Sequence, residues 1–84
     1  MEKLRNRLTD GRSRSELQML INEWIIGCNG ERNRRVVEMY LFDGIPLEDI
    51  AERMDMSTQG ICDIIYPKCQ MLLSHLPKKS VDIS

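Results

Sequence analysis

Leu47-Glu48-Asp49-Ile50-Ala51-Glu52-Arg53-Met54-Asp55-Met56-Ser57-Thr58-Gln59-Gly60-Ile61-Cys62-Asp63-Ile64-Ile65-Tyr66 is the stretch that decides the fold. Apolar residues at Ile50, Met54, Met56, Ile61 and Ile64 trace one helical face, a corner, and one face of a second helix. Ala51 stands where two crossing helices need a side chain small enough for close approach. Ser57 is placed to cap the second helix, its hydroxyl accepting from the amide of Gln59 or Gly60. The residue after Met54 must turn left-handed. Glycine suits that position best, and Asp55 fills it at a cost on the order of 1 kcal/mol.

Two short helices joined in this way form a helix-turn-helix, whose second helix commonly enters the DNA major groove. A small helical bundle that uses the same corner only for packing is the alternative.

Working outward, Asp43-Gly44 stops the preceding helix, and Pro46 suits the first turn of the one that runs to Met54. That preceding helix spans about Glu31 to Phe42. It is apolar nearly all round at its far end (Val36, Val37, Met39, Tyr40, Leu41, Phe42), which predicts a buried central helix. Before it, Ser13-Arg14-Ser15-Glu16 forms a capping box. The helix it opens carries the stripe Leu17, Leu20, Ile21, Trp24 and Ile25. Gly27-Cys28-Asn29-Gly30 ends that helix, since glycine and asparagine adopt left-handed conformations cheaply. Its Gly-x-x-Gly spacing is shared with KH-type RNA-binding loops, but no strand-rich pattern surrounds it.

Downstream, a helix from Ser57 to about Leu76 contains Pro67. An interior proline deletes a backbone hydrogen bond and clashes with the carbonyl four residues back, at about 3 kcal/mol. The pattern therefore predicts a kink near Asp63, or a stop near Ile65 and a restart.

The expected organisation is a basic N-terminal arm over residues 1–14, a domain over 15–76 and a polar, disordered tail over 77–84. The arm carries Lys3, Arg5, Arg7, Arg12 and Arg14, with a short helical turn around Leu4 and Leu8. The predicted fold class is all-α: a small four-helix, helix-turn-helix domain with a three-helix core and a kinked C-terminal helix.

A chain of 84 residues, 42% apolar and 30% charged, holds one small core that benefits from oligomerisation, such as a homodimer, or from a partner. No apolar run reaches the length of a membrane span and no signal peptide opens the chain, so a cytoplasmic protein with no membrane partner is expected. Cys28, Cys62 and Cys69 are odd in number and lack a close pair, which argues against a disulfide framework.

With these elements placed, Arg34 to Ser57 resembles region 4 of bacterial sigma factors, and the small sigma-like regulators of phages and mobile elements. In that family a helix ending in an aromatic pair and Gly precedes a Glu-Ile-Ala-Glu helix, a turn and a Ser-capped recognition helix. Gly44, Ile50-Ala51-Glu52 and Ser57 are the matching anchors, and the likeness extends over about residues 17–76. It implies a four-helix fold and a transcription regulator whose helix from Ser57 reads promoter-type duplex DNA. Thr58, Gln59, Gly60, Asp63 and Tyr66 would form the reading face. Asp49 stands where the family usually has Glu. Family members also carry basic residues between Met54 and Pro67, where this chain has none.

Charge is divided unevenly. Residues 1–35 hold eight basic and five acidic side chains; residues 36–84 hold four basic and eight acidic. Phosphate contacts, which supply most non-specific affinity for DNA, would come from Arg32, Arg34, Arg35, Lys68, Lys78, Lys79 and the arm. The arm itself is either a minor-groove or phosphate contact or a solvated tail. Gln59 is suited to adenine and Thr58 to a phosphate or a thymine methyl. The competing reading is a scaffold turned into a protein-interaction module, which binds RNA polymerase or another regulator or effector through its acidic face.

Cys62, Cys69 and His75 lack the ligand pairs of a structural zinc site, and the seven-residue spacing of the cysteines is that of core positions. His75 suits a helix C-terminus. No catalytic dyad, phosphate loop or nucleotide-binding pattern is present, so a non-enzyme without a cofactor is expected.

Overall fold

The structure, a computed structural model, describes residues 2–76. Five helices follow one another: α1 (Glu2–Thr9), α2 (Arg14–Trp24), α3 (Gly30–Leu41), α4 (Leu47–Met54) and α5 (Thr58–Ser74), with no strand among the described residues. The all-α class follows directly. The tail over 77–84, with Lys78 and Lys79, lies outside the described residues.

The starts of α2 and α5 are capped by side chains. At α2 both halves of the capping box form: Ser13 Oγ accepts from Glu16 N–H at 3.2 Å, and Glu16 Oε1 accepts from Ser13 N–H at 3.0 Å. At α5, Ser57 Oγ accepts from Gly60 N–H at 3.0 Å. Each such cap stabilises its helix by about 1 kcal/mol. Glycines shape the ends of α2 and α3. Gly27 (φ 107°) and Gly44 (φ 64°) follow α2 and α3 in conformations that a Cβ disfavours. Gly30 is different, because it opens α3 instead of turning left-handed. A Cβ there would come within 3.1 Å of Arg34 Nη1 and 3.4 Å of the Ile25 carbonyl oxygen. That oxygen accepts from Arg34 Nη1 at 2.7 Å, which closes the end of α2.

The core is aliphatic. Leu8, Ile21, Ile25, Val36, Val37, Ile50, Ile61, Ile65, Cys69 and Leu72 are fully enclosed, with Leu17, Tyr40, Leu41, Ala51 and Ile64 close behind. Each large side chain withdrawn from water contributes roughly 1.5–3 kcal/mol before the entropy of ordering the chain is counted. α3 packs against all four other helices, as the sequence predicts for a central helix, but α5 does so too and shares that place.

Two expectations change. The N-terminal arm is not a loose segment with one turn: α1 is an eight-residue helix whose Leu4 and Leu8 lie in the core. Arg5 Nε donates to the Tyr40 carbonyl oxygen at 3.0 Å. That carbonyl belongs to the last turn of α3, where a helix leaves acceptors without an intrahelical donor. Among the described residues there are therefore five helices where four were expected. α5 also runs from Thr58 to Ser74 as one helix with Pro67 inside it, without the stop near Ile65. Pro67 is exposed while Ile64, Ile65 and Cys69 are buried, so the ring lies on the solvent side, where water can reach a carbonyl that loses its donor.

Candidate nucleic-acid interface

The α4–α5 corner is built by backbone geometry. Asp55 adopts φ 56°, ψ 46°, the left-handed conformation that the sequence demands of it. Met56 N–H donates to the Ala51 oxygen at 2.8 Å, and Asp55 N–H donates to Glu52 at 3.3 Å. This pair of bonds is the Schellman arrangement, which satisfies the last carbonyls of α4. Ser57 then returns to extended backbone (φ −77°, ψ 156°) and caps α5. Ile50 and Ala51 from α4 and Ile61, Ile64 and Ile65 from α5 are buried, with Met54 and Met56 packed partly against them. The start and rotation of α5 are thereby set.

Rotation decides what α5 shows to solvent. Thr58, Gln59, Asp63 and Tyr66 are exposed, Tyr66 with 53% of its surface accessible. Gln59 and Asp63 are joined: Gln59 Nε2 donates to Asp63 Oδ1 at 3.0 Å across one helical turn. The four-residue spacing carries that pairing in the sequence, yet Gln59 read alone looks free to contact a base. Gly60 is half-buried and serves the corner: a Cβ there would meet Ser57 Oγ at 3.2 Å and Met56 Cε at 3.4 Å. Its position is explained by the tightness of the cap.

The cations are placed less simply. Arg35 is exposed and Lys68 half-buried, whereas Arg34 is tied to the Ile25 carbonyl. Arg32 donates to Asn33 Oδ1 at 3.2 and 3.3 Å. Arg12 Nη1 closes the end of α1 on the carbonyls of Arg7, Leu8 and Asp10. Arg14 lies over the Phe42 ring at 4.8 Å. These side chains have structural partners, whereas Arg7 and Arg35 are exposed. Arg53, exposed in the last turn of α4, is the cation nearest the corner in sequence and was not among the residues that sequence reasoning selected.

The cysteines and His75 have separate surroundings. Cys69 is buried, and desolvation pushes its thiol up to about 12, so it behaves as a neutral core side chain. Cys62 is half-buried and Cys28 exposed. His75 ends α5, its amide donating to the Met71 and Leu72 carbonyls, and its ring stacks on Trp24 with centroids 3.7 Å apart and planes 3° from parallel. Nothing in the sequence announces that stack. Among the described residues no group of three His, Cys, Asp or Glu side chains could hold a metal ion, and no helix is long and apolar enough to cross a membrane.

No protein-family model matches this chain, and neither a curated protein nor a solved structure shows significant similarity to it.

Proposed function

We propose that this protein is a DNA-binding transcription regulator that uses α4 and α5 as a helix-turn-helix and reads duplex DNA with the start of α5. The sigma region 4-like anchors Gly44, Ile50-Ala51-Glu52 and Ser57 support that reading, and point to the class of small regulators carried by phages and mobile elements. The observation that carries it is the division of α5. Ile61, Ile64 and Ile65 are buried while Thr58, Gln59, Asp63 and Tyr66 face solvent on the first turns after a left-handed corner. A recognition helix needs this arrangement, because its N-terminal residues must reach base edges while its other face holds the scaffold. Among the described residues, Arg7, Arg35, Arg53 and Lys68 are cations open to phosphates.

Titration against random duplex DNA at two salt concentrations tests this. Three to five phosphate contacts per chain should weaken binding roughly 50-fold to 500-fold between about 50 and 200 mM salt. No retention of duplex at the lower salt would remove the proposal.

One observation favours a second reading, a protein-binding surface: Asp63 and Tyr66 are exposed together, and no Arg or Lys lies between Met54 and Pro67. The same titration with Asp63→Lys separates the two. Against phosphates the new cation tightens non-specific binding severalfold; against a basic protein such as a polymerase surface it slows association and weakens the complex. Both effects shrink as salt rises.

A further inference from the structure

The Gln59–Asp63 pair bears on which base α5 would take. A carboxylate on a reading face is repelled by phosphates and by most of what the major groove shows. Guanine offers N7 and O6, thymine offers O4, and all three are acceptors. Two bases offer a donor. Adenine N6 has the acceptor N7 beside it on the same base and thymine O4 across the pair. Cytosine N4 has guanine O6 across the pair, but on its own base no acceptor faces the groove beside it. A carboxylate therefore meets less repulsion at cytosine than at any other base.

Asp63 is exposed on the same face as Gln59, one turn further along α5. Its Oδ1 already accepts from Gln59 Nε2 at 3.0 Å, which restrains the carboxylate and leaves Oδ2 for a second donor. Gln59 retains Oε1 and one Nε2 hydrogen. Restraint matters, because a side chain ordered in advance loses less freedom on binding.

We infer that Asp63, held by Gln59, is a specificity-determining residue that selects a cytosine in the major groove by accepting from its N4 amino group. The inference rests on the reading of α5 as a DNA-recognition helix and adds the base that it prefers. It also explains how an acidic residue is tolerated there: Asp63 lowers affinity for every duplex and gives part of it back only at a site with cytosine in register.

Selection of binding sites from a random duplex pool, run in parallel with wild type, Asp63→Ala and Asp63→Asn, tests it. Asp63 is exposed, so both variants should keep the helical circular dichroism of the wild type. Wild type should enrich a site with cytosine at one position and lose roughly tenfold in affinity when that base pair is changed. Asp63→Ala should bind random duplex more tightly and enrich no base at that position. Asp63→Asn, whose amide can both donate and accept, should move the preference toward adenine. If all three proteins enrich the same site, the inference about Asp63 is overturned while the DNA-binding reading stands. If wild type enriches no sequence and retains no duplex, both are overturned together.

Discussion

At the α4–α5 corner the shaping hydrogen bonds close within a few residues: Asp55 to Glu52, Met56 to Ala51, Gly60 to Ser57. The helix α1 is held in the opposite manner. One side-chain tie from it to the rest of the fold runs from Arg5 to Tyr40, 35 residues away, and Leu4 and Leu8 are its buried apolar side chains. A corner closed by local bonds is specified by residue types in sequence order. A helix docked by remote contacts depends on a surface that exists only after the other helices have packed. The two regions should therefore respond differently to substitution.

The largest effect is expected at Leu8→Ala. Leu8 is wholly enclosed, and truncating such a side chain leaves a cavity that costs about 2–4 kcal/mol. Urea denaturation of the full chain measures it. A loss below about 0.5 kcal/mol, the range typical of surface substitutions, would mean that α1 is a detachable arm after all. Arg5→Ala should follow at about 1 kcal/mol, since it removes a charge-assisted bond to a helix-end carbonyl at a half-buried site, where solvent takes back part of the gain. If instead Arg5→Ala leaves stability unchanged while Leu8→Ala is costly, α1 is positioned by its leucines alone.

The same contrast explains what was legible beforehand. The corner, both serine caps, the stripe of α2 and the buried faces of α3 and α5 follow from spacing, because each rests on chemistry between neighbours in sequence. α1 did not follow: among its eight residues only Leu4 and Leu8 are apolar, too few for a periodicity against four charged side chains. What docks it is the core that receives Leu4 and Leu8, together with a carbonyl on α3 that accepts from Arg5, and no local pattern mentions either. The stop near Ile65 failed for a related reason. The penalty for an interior proline is local and well known, but the packing that carries α5 through it is tertiary: Ile64 and Ile65 before the ring and Cys69 and Leu72 after it are buried in one core. The candidate site divides in the same way. Thr58, Gln59, Asp63 and Tyr66 lie outward as the helical period predicts, whereas Arg34 and Gly60 turn out to serve the fold. The partner of Arg34 is a carbonyl at the end of another helix, and Gly60 faces the side chains of its own cap.

The smallest effect, and the one with the opposite sign, is expected at the corner itself. Asp55 sits at φ 56°, where an L side chain costs about 1–2 kcal/mol, somewhat less for aspartate, and glycine nothing. Glycine also loosens the unfolded chain, which takes back about 0.4–1 kcal/mol. A second gain comes from charge: Asp55 ends α4, where the carbonyls already present partial negative charge, and an exposed anion there is unfavourable by about 0.3–1 kcal/mol. Taken together, Asp55→Gly should raise stability by about 0.5–1 kcal/mol. Asp55→Asn separates the two causes, because it keeps the side-chain volume and the tolerance for left-handed backbone while removing the charge. It should recover only the electrostatic share, and that share should fade as salt is added. Denaturation of the three proteins at low and high salt checks this. A glycine variant less stable than wild type would mean that the Asp55 carboxylate contributes to the corner, and that the local bonds named above are not sufficient to close it.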